Sequence, residues 1–197
     1  MPRQPDPDLE KRILDAAWKL WQGGDERLSL RALARAARTN TPAIYRRFKH
    51  RREIVRAMLL RLRRDFYEAI SSAPTMEEAA GPYLDFALSH PRQYELFFAH
   101  QHLLRQWLPG RKAVDRKDWE KNPALFWGLE KLSKQLGGPP GRHIPLVMSI
   151  WAVAHGTASL LISGAVDPKL EREMREQCQR AVRLLVREAA KPSAARS

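Results

Sequence analysis

The stretch LSLRALARAARTNTPAIYRRF, residues 28–48, holds two short helical patterns separated by a tight break. Ser29 stands where a side-chain oxygen caps a helix, with Leu28 and Leu33 at the positions of a hydrophobic staple. Leu30, Leu33, Ala34 and Ala37 recur at spacings of three and four, which places them on one face of a helix about two turns long. Arg38-Thr39-Asn40 breaks that period. Asn40 or Thr41 can cap a second helix, and Pro42 is tolerated in a first turn that has no amide to lose. Ile44 and Phe48, four apart, point inward, leaving Pro42, Ala43, Tyr45 and Arg46 outward. Two helices of this size joined by three or four residues have the dimensions of a helix-turn-helix, whose second helix enters the major groove of DNA.

Charge supports that partner. The 197 residues carry a net charge of +13, and residues 1–65 hold 17 Lys or Arg against 8 Asp or Glu, a net of +9. Between Tyr45 and Arg64 nine basic residues meet one acid, Glu53. Alone, such a run is a solvated face; directly after a helix-turn-helix pattern it is the footprint of a polyphosphate.

Outward from the pair, the pattern stays helical. Asp6-Pro7 predicts the start of a helix that buries Ile13, Ala17, Leu20 and Trp21 and ends at Gly23-Gly24. His50-Arg51 opens a long helix with Ile54, Met58, Leu62, Phe66 and Ile70 on one stripe, stopped by Ser72-Ala73-Pro74. This helix, to Ile70, is the expected mechanical bridge between two bodies. Thr75-Met76-Glu77-Glu78 reads as a capping box for the next helix, with Gly81-Pro82 shortening or kinking it. An apolar helix is expected from Pro91 to Leu108, a weakly periodic connection over Arg111–Lys121, and a helix capped by Asn122-Pro123 that reaches Gly137. Ile144 to Val166 has no Asp, Glu, Lys or Arg and is long enough to cross a bilayer. Its Pro, Ser, Thr, His and Gly residues and the amphipathic helix that follows favour a buried core or dimer helix. Asp167-Pro168 caps the last helix, with a stripe through Leu170, Met174, Cys178, Ala181 or Val182, and Leu185, and Lys191–Ser197 reads as a frayed tail.

The segment from Ile13 to Ile54 resembles the DNA-binding domain of the TetR-type bacterial repressors. The resemblance rests on Ile13-Leu14-Asp15-Ala16-Ala17, Ser29, Leu33-Ala34, Ile44-Tyr45-Arg46-Arg47-Phe48 and Arg51. Arg38, Arg47 and Arg51 stand where the family often has Gly, His and Lys. An arginine in the left-handed region costs roughly 1–2 kcal/mol relative to glycine, which predicts a turn built differently here. Position and resemblance together nominate Asn40, Thr41, Pro42, Ala43, Tyr45 and Arg46 as DNA-facing residues of the reading helix. Ser29, Arg31, Tyr45, Lys49 and Arg51 are placed as clamps on the phosphate backbone. Tyr83-Leu84-Asp85-Phe86-Ala87, His90-Pro91 and the Trp-x-x-x-His-Gly signature at Trp151, His155 and Gly156 resemble a regulatory domain of the same family. That resemblance implies a homodimer through the last two helices and a small-molecule pocket in the helices before them. Tyr83, Phe86, Leu103, Trp107, Trp127, Met148, Trp151 and His155 are nominated as its lining, although aromatics at helical spacing are also plain core.

The resulting expectation is an all-α chain. Residues 1–50 form a three-helix helix-turn-helix domain, and residues 51–197 a linker helix with an effector-binding and dimerisation domain. Its partners are a double-stranded DNA operator, a small hydrophobic effector and a second copy, in the cytoplasm and on the nucleoid when DNA-bound, with no membrane. No cofactor, metal or enzyme chemistry is expected: His100 and His102 are two apart on a helix and diverge, and no paired carboxylates or nucleophile triad stand out. Lone Cys178 excludes an intrachain disulfide, and the N-terminus lacks the apolar core of a signal peptide. The rival reading is a basic helical protein that binds RNA or an acidic membrane without sequence choice.

Overall fold

The structure, a computed structural model, describes residues 6–24, 27–104 and 122–191, without the side chains of residues 101 and 102. Every regular element among them is helical. The nine α-helices are α1 (Leu9–Gln22), α2 (Leu30–Ala36), α3 (Thr41–Arg47), α4 (Arg51–Ser71), α5 (Ala80–Ser89), α6 (Pro91–His100), α7 (Pro123–Leu136), α8 (Ile144–Ile162) and α9 (Glu171–Ala190). Short 3-10 turns follow α6 and precede α8 and α9. The chain forms two compact units, Met1–Leu62 with Leu96–Arg105, and Arg63–Glu95 with Gln106–Ser197.

In the first unit, α1 packs on α2 and α2 on α3. Helix α1 begins two residues later than Asp6-Pro7 predicts, because Asp6 organises the preceding turn instead of capping. Its carboxylate accepts from the Asp8 amide at 3.0 Å and pairs with Arg12 at 2.7 Å, and its carbonyl accepts from Arg47 at 3.0 Å. Arg12 also donates to the Ala37 carbonyl at 3.3 Å. Three helices are thus tied at one corner. Ile13, Leu14, Ala16 and Ala17 are the buried face of α1, while Leu20 and Trp21 are half-buried. Leu28 and Leu33 are both fully buried, as a staple requires. Ser29 occupies the N-cap position of α2, but its side chain makes no cap hydrogen bond.

Arg38 corrects the expected turn. It takes the left-handed conformation a glycine would take, with φ of 51°. Thr39 N–H reaches the Ala34 carbonyl at 2.9 Å and Arg38 N–H the Arg35 carbonyl at 3.2 Å. This is the Schellman closure of a helix end, so a glycine-type turn is formed and the arginine bears the strain. Arg38→Gly is therefore expected to stabilise the chain, by up to about 1 kcal/mol once the extra entropy of an unfolded glycine is subtracted. Urea titration measures it, and a loss of stability would contradict the strain.

Helix α4 follows its predicted stripe closely: Ile54, Met58, Leu62, Phe66 and Ile70 are all buried. Glu53 accepts from the Lys49 amide at 2.7 Å and anchors its first turn. Arg61 bonds Asp15 of α1 at 2.5 Å, and with Lys11 it holds the Asp15 carboxyl below the usual carboxylate range.

In the second unit α8 packs against α5, α7 and α9, and α5 also meets α9. The predicted capping box does not start α5. The Thr75 hydroxyl donates to the Glu78 side chain at 3.1 Å instead of accepting from the Glu78 backbone N–H, residues 76–79 form a turn, and the helix begins at Ala80 with Pro82 in its first turn. Asn122 caps α7 by accepting from Leu125 N–H at 3.1 Å. Gly137, with φ of 74°, ends α7, and its carbonyl accepts from buried His143 at 2.8 Å. Helix α6 stops at His100 and the chain tightens into a 3-10 turn over Gln101–Leu104 where the helix was expected to continue; residues 105–108 of that expected helix, the Arg111–Lys121 connection and the tail beyond Lys191 lie outside the described residues. Pro140–Ile162, with mean hydropathy 1.5, is long and apolar enough to cross a membrane. Here Val147, Ile150, Ala154, Thr157 and Ala158 form its buried face. Cys178 is buried on α9, and that burial pushes its thiol upward.

Candidate functional site: a cationic helix pair and an aromatic cavity

The reading helix is built by local chemistry. Asn40 Oδ1 accepts from Ala43 N–H at 2.8 Å, and Pro42 supplies a pre-set first turn. Ile44 and Phe48 are buried and fasten this seven-residue helix to its unit. Pro42, Tyr45 and Arg46 are exposed and Thr41 is half-exposed, whereas Asn40 is exposed at the cap. Ala43 is a correction: it was expected to face outward and is only 5% exposed. A helix's buried stripe is at least about 100° wide, and a small residue next to Ile44 falls inside it. Tyr45 keeps 52% of its surface exposed, so its ring is available to a partner.

Ser29, Arg31, Lys49 and Arg51 are all exposed. From Arg27 to Arg52 there are nine Lys or Arg and no Asp or Glu. An anionic surface meeting this pair finds no carboxylate of that stretch in its way.

The second unit contains an aromatic cavity with about 650 Å³ of empty space, its open mouth included. Phe66 of α4, Tyr83 of α5, Trp127 of α7 and Trp151 of α8 supply its rings. Met76 and Met148 add thioethers and Asn122 its amide. None of the described lining residues is Asp, Glu, Lys, Arg or His. Tyr83, Trp127, Met148 and Trp151 thus come together as nominated. Phe86 does not line the cavity: its ring stacks on His90 at 4.9 Å and packs on Phe66 at 5.1 Å, and Phe66 forms the wall instead. Leu103 lies in the 3-10 turn of the other unit and is not a lining residue. Trp107 lies outside the described residues.

His155 sits behind the wall. It stacks on Trp151 at 5.1 Å, and its Nδ1 is 2.5 Å from the Tyr94 hydroxyl. The Tyr94 hydroxyl is 2.8 Å from that of Tyr83. Burial lowers the His155 pKa and raises those of both tyrosines. Sequence reasoning missed Tyr94 as part of this group, although a tyrosine on an otherwise apolar helix stripe must satisfy its hydroxyl somewhere. It also took Phe66, Met76 and Asn122 only for core and cap.

The raised tyrosine values fix a sign. An unfolded tyrosine loses its proton near pH 10.0, while the folded chain holds both protons above it. Their contribution to stability is complete below that pH and falls as pH rises through it. Circular dichroism from about pH 9 to about pH 12 should show stability falling, less steeply in Tyr94→Phe; an unchanged slope would count against the buried pair.

Residues 76–185 match the family described as Tetracyclin repressor-like, C-terminal domain, and residues 13–58 match the bacterial regulatory proteins of the tetR family. The chain belongs to the TetR family. It is a DNA-binding transcriptional regulator and not an enzyme. TetR-family proteins are cytoplasmic and bind DNA operators and small-molecule effectors, usually as dimers. No curated protein matches the chain. Among solved structures, SCO4313 superposes with a TM-score of 0.68 at 19% identity, covering 89% of this chain and 95% of that one. A tetR-family transcriptional regulator from Streptomyces coelicolor gives 0.61 at 18%, covering 98% and 94%. A protein of unknown function from Rhodococcus sp. RHA1 gives 0.64 at 22%, covering 97% and 100%. At these identities the superpositions speak to the TetR-family fold.

Proposed function

We propose that this TetR-family chain is a ligand-responsive repressor that binds a palindromic operator as a homodimer and is released by a small hydrophobic effector. In this reading residues 1–50 are the DNA-binding domain and residues 51–197 the linker helix with the effector and dimerisation domain. The observation that carries it is the capped, inward-fastened α3 presenting Thr41, Pro42, Tyr45 and Arg46 in a stretch without carboxylates. Thr41 and Arg46 read base edges from the major groove. Ser29, Arg31, Tyr45, Lys49 and Arg51 hold the sugar-phosphate backbone. Ala43 drops out as a direct contact because it is buried.

The dimer surface is assigned to α8 and α9. Of the five large hydrophobic residues exposed among the described residues, Leu160 is on α8, Leu184 on α9 and Leu170 just before α9. A two-fold partner placed there presents two reading helices to successive major grooves, about 34 Å apart. The effector shifts the population toward a state in which that spacing is lost, by binding it more tightly than the DNA-competent state. DNA-bound copies are carried on the nucleoid.

Operator selection followed by fluorescence anisotropy tests this. The log–log salt slope is expected near roughly −5 to −9, from about six to ten phosphates per dimer. Tyr45→Phe and Arg51→Ala should weaken binding to every duplex, whereas Thr41→Ala should change the preferred site. Equal grip on scrambled and palindromic duplexes would instead favour sequence-independent binding of nucleic acid.

A further inference from the structure

Two described non-glycine residues hold the left-handed backbone conformation, Leu28 with φ of 45° and Arg38 with φ of 51°. Such a conformation persists only where its surroundings over-determine it, and it gathers at sites of function. For Leu28 the surroundings are visible, since its side chain is fully buried in the core of its unit. Arg38 has no such return. Its side chain is exposed, and its guanidinium has no hydrogen-bond or ion-pair partner among the described residues. Nor does α2 need it as a cation against the negative end of the helix dipole, because Arg35 already stands in the last turn. What holds an arginine where a glycine would relax the chain lies outside the protomer.

Its place in the fold says where. Arg38 lies between the C-cap of α2 at Ala37 and the N-cap of α3 at Asn40. In a helix-turn-helix the first helix crosses the phosphate backbone, while the N-terminal residues of the second meet the base edges. The junction of the two helices therefore comes up beside the wall of the groove. Arg31 and Arg35, exposed and one turn apart on α2, lead toward it, and residues 27–52 contain no carboxylate to neutralise the group. We propose that Arg38 is a further DNA-contact residue, whose guanidinium grips a backbone phosphate at the edge of the groove that α3 enters. A planar guanidinium makes paired, charge-assisted hydrogen bonds to phosphate, a contact that a glycine at this turn lacks. The grip serves the DNA-binding activity of the chain and needs neither an effector nor a second copy.

Three variants of the full chain separate the contact from the turn. Arg38→Gly removes charge and strain, Arg38→Ala removes the charge and keeps the strain, and Arg38→Lys keeps both. Fluorescence anisotropy is read from about 50 to about 200 mM salt, on a random-sequence duplex and on the operator obtained by selection. The glycine and alanine variants should each bind both duplexes at least about 10-fold more weakly, with the log–log salt slope reduced by about 1 per protomer. They should do so although urea titration places the glycine variant above the parent in stability and the alanine variant no higher than it. Arg38→Lys should keep the salt slope while losing part of the affinity. The glycine variant is the more stable protein, so its loss of binding cannot come from unfolding. An unchanged slope in Arg38→Gly, affinity that follows stability across the three variants, a loss confined to the operator, or no binding of either duplex by the parent would each overturn the assignment. Equal grip by the parent on both duplexes would sink the palindromic-operator reading and leave the phosphate contact standing.

Discussion

Leu184→Asp is expected to give a monomer on light scattering and to weaken operator binding at least about 100-fold. Leu184 is 56% exposed on α9, so the substitution costs the isolated protomer within about 0.5 kcal/mol. In a two-fold interface the residue counts twice. Burying a leucine is worth about 1.5–3 kcal/mol, which puts the pair at about 3–6 kcal/mol before any cost of burying two carboxylates. The DNA loss follows from a different cause. Two half-sites gripped together gain about 10²–10⁴ in avidity over one, without any new contact. Leu160→Asp on α8 should act the same way, and helical content should be preserved in both. A Leu160→Asp/Leu184→Asp double variant that remains dimeric at micromolar concentration would place the interface elsewhere.

Ile44→Ala is expected to lower stability by about 2–5 kcal/mol and to abolish operator binding. The reason lies in the length of α3. Seven residues cannot hold a helix in water by themselves, so its shape depends on the burial of Ile44 and Phe48 and on the Asn40 cap. Removing most of the Ile44 side chain leaves a cavity under the reading face. Arg46→Ala is the matched control, since its side chain is exposed; it should cost DNA affinity with little change in denaturant midpoint. An Ile44→Ala protein that melts within about 0.5 kcal/mol of the parent and still binds operator would show that α3 is held by something else.

What was legible in the sequence was what local chemistry decides. The α4 stripe from Ile54 to Ile70, the Asn40 and Asn122 caps and the Gly137 stop each depend on residues within a turn or two of one another, and each is found as read. Two of the misreadings share one cause, a local signal overruled by a better partner, and a third has its own. Asp6 gave its carboxylate to the Asp8 amide and to Arg12 rather than starting α1. The Thr75 hydroxyl took the Glu78 side chain, which removed the capping box. Ala43 looked outward by default, because an alanine carries too little apolar area to announce burial. The cavity was half legible: aromatic residues name candidates, but their convergence depends on how four helices pack. Phe66 faces the cavity while Phe86 stacks on His90, a choice no spacing announces. The hydrogen-bond chain through Tyr94 joins residues 61 and 72 positions from His155, beyond the reach of any periodicity.

The corner where Asp6 joins Arg12 and Arg47 matters to anyone shortening this protein. The first helix begins at Leu9, which invites a trimmed version starting there, yet such a cut discards the residue that receives both arginines. Arg12 would keep only its bond to the Ala37 carbonyl, and Arg47 would lose its bond beside the end of the reading helix, at the point where freedom of orientation does most harm to docking on a duplex. An expression design that respects the fold keeps at least Asp6, and treats these few residues as the hinge pin of the head rather than as a disposable leader.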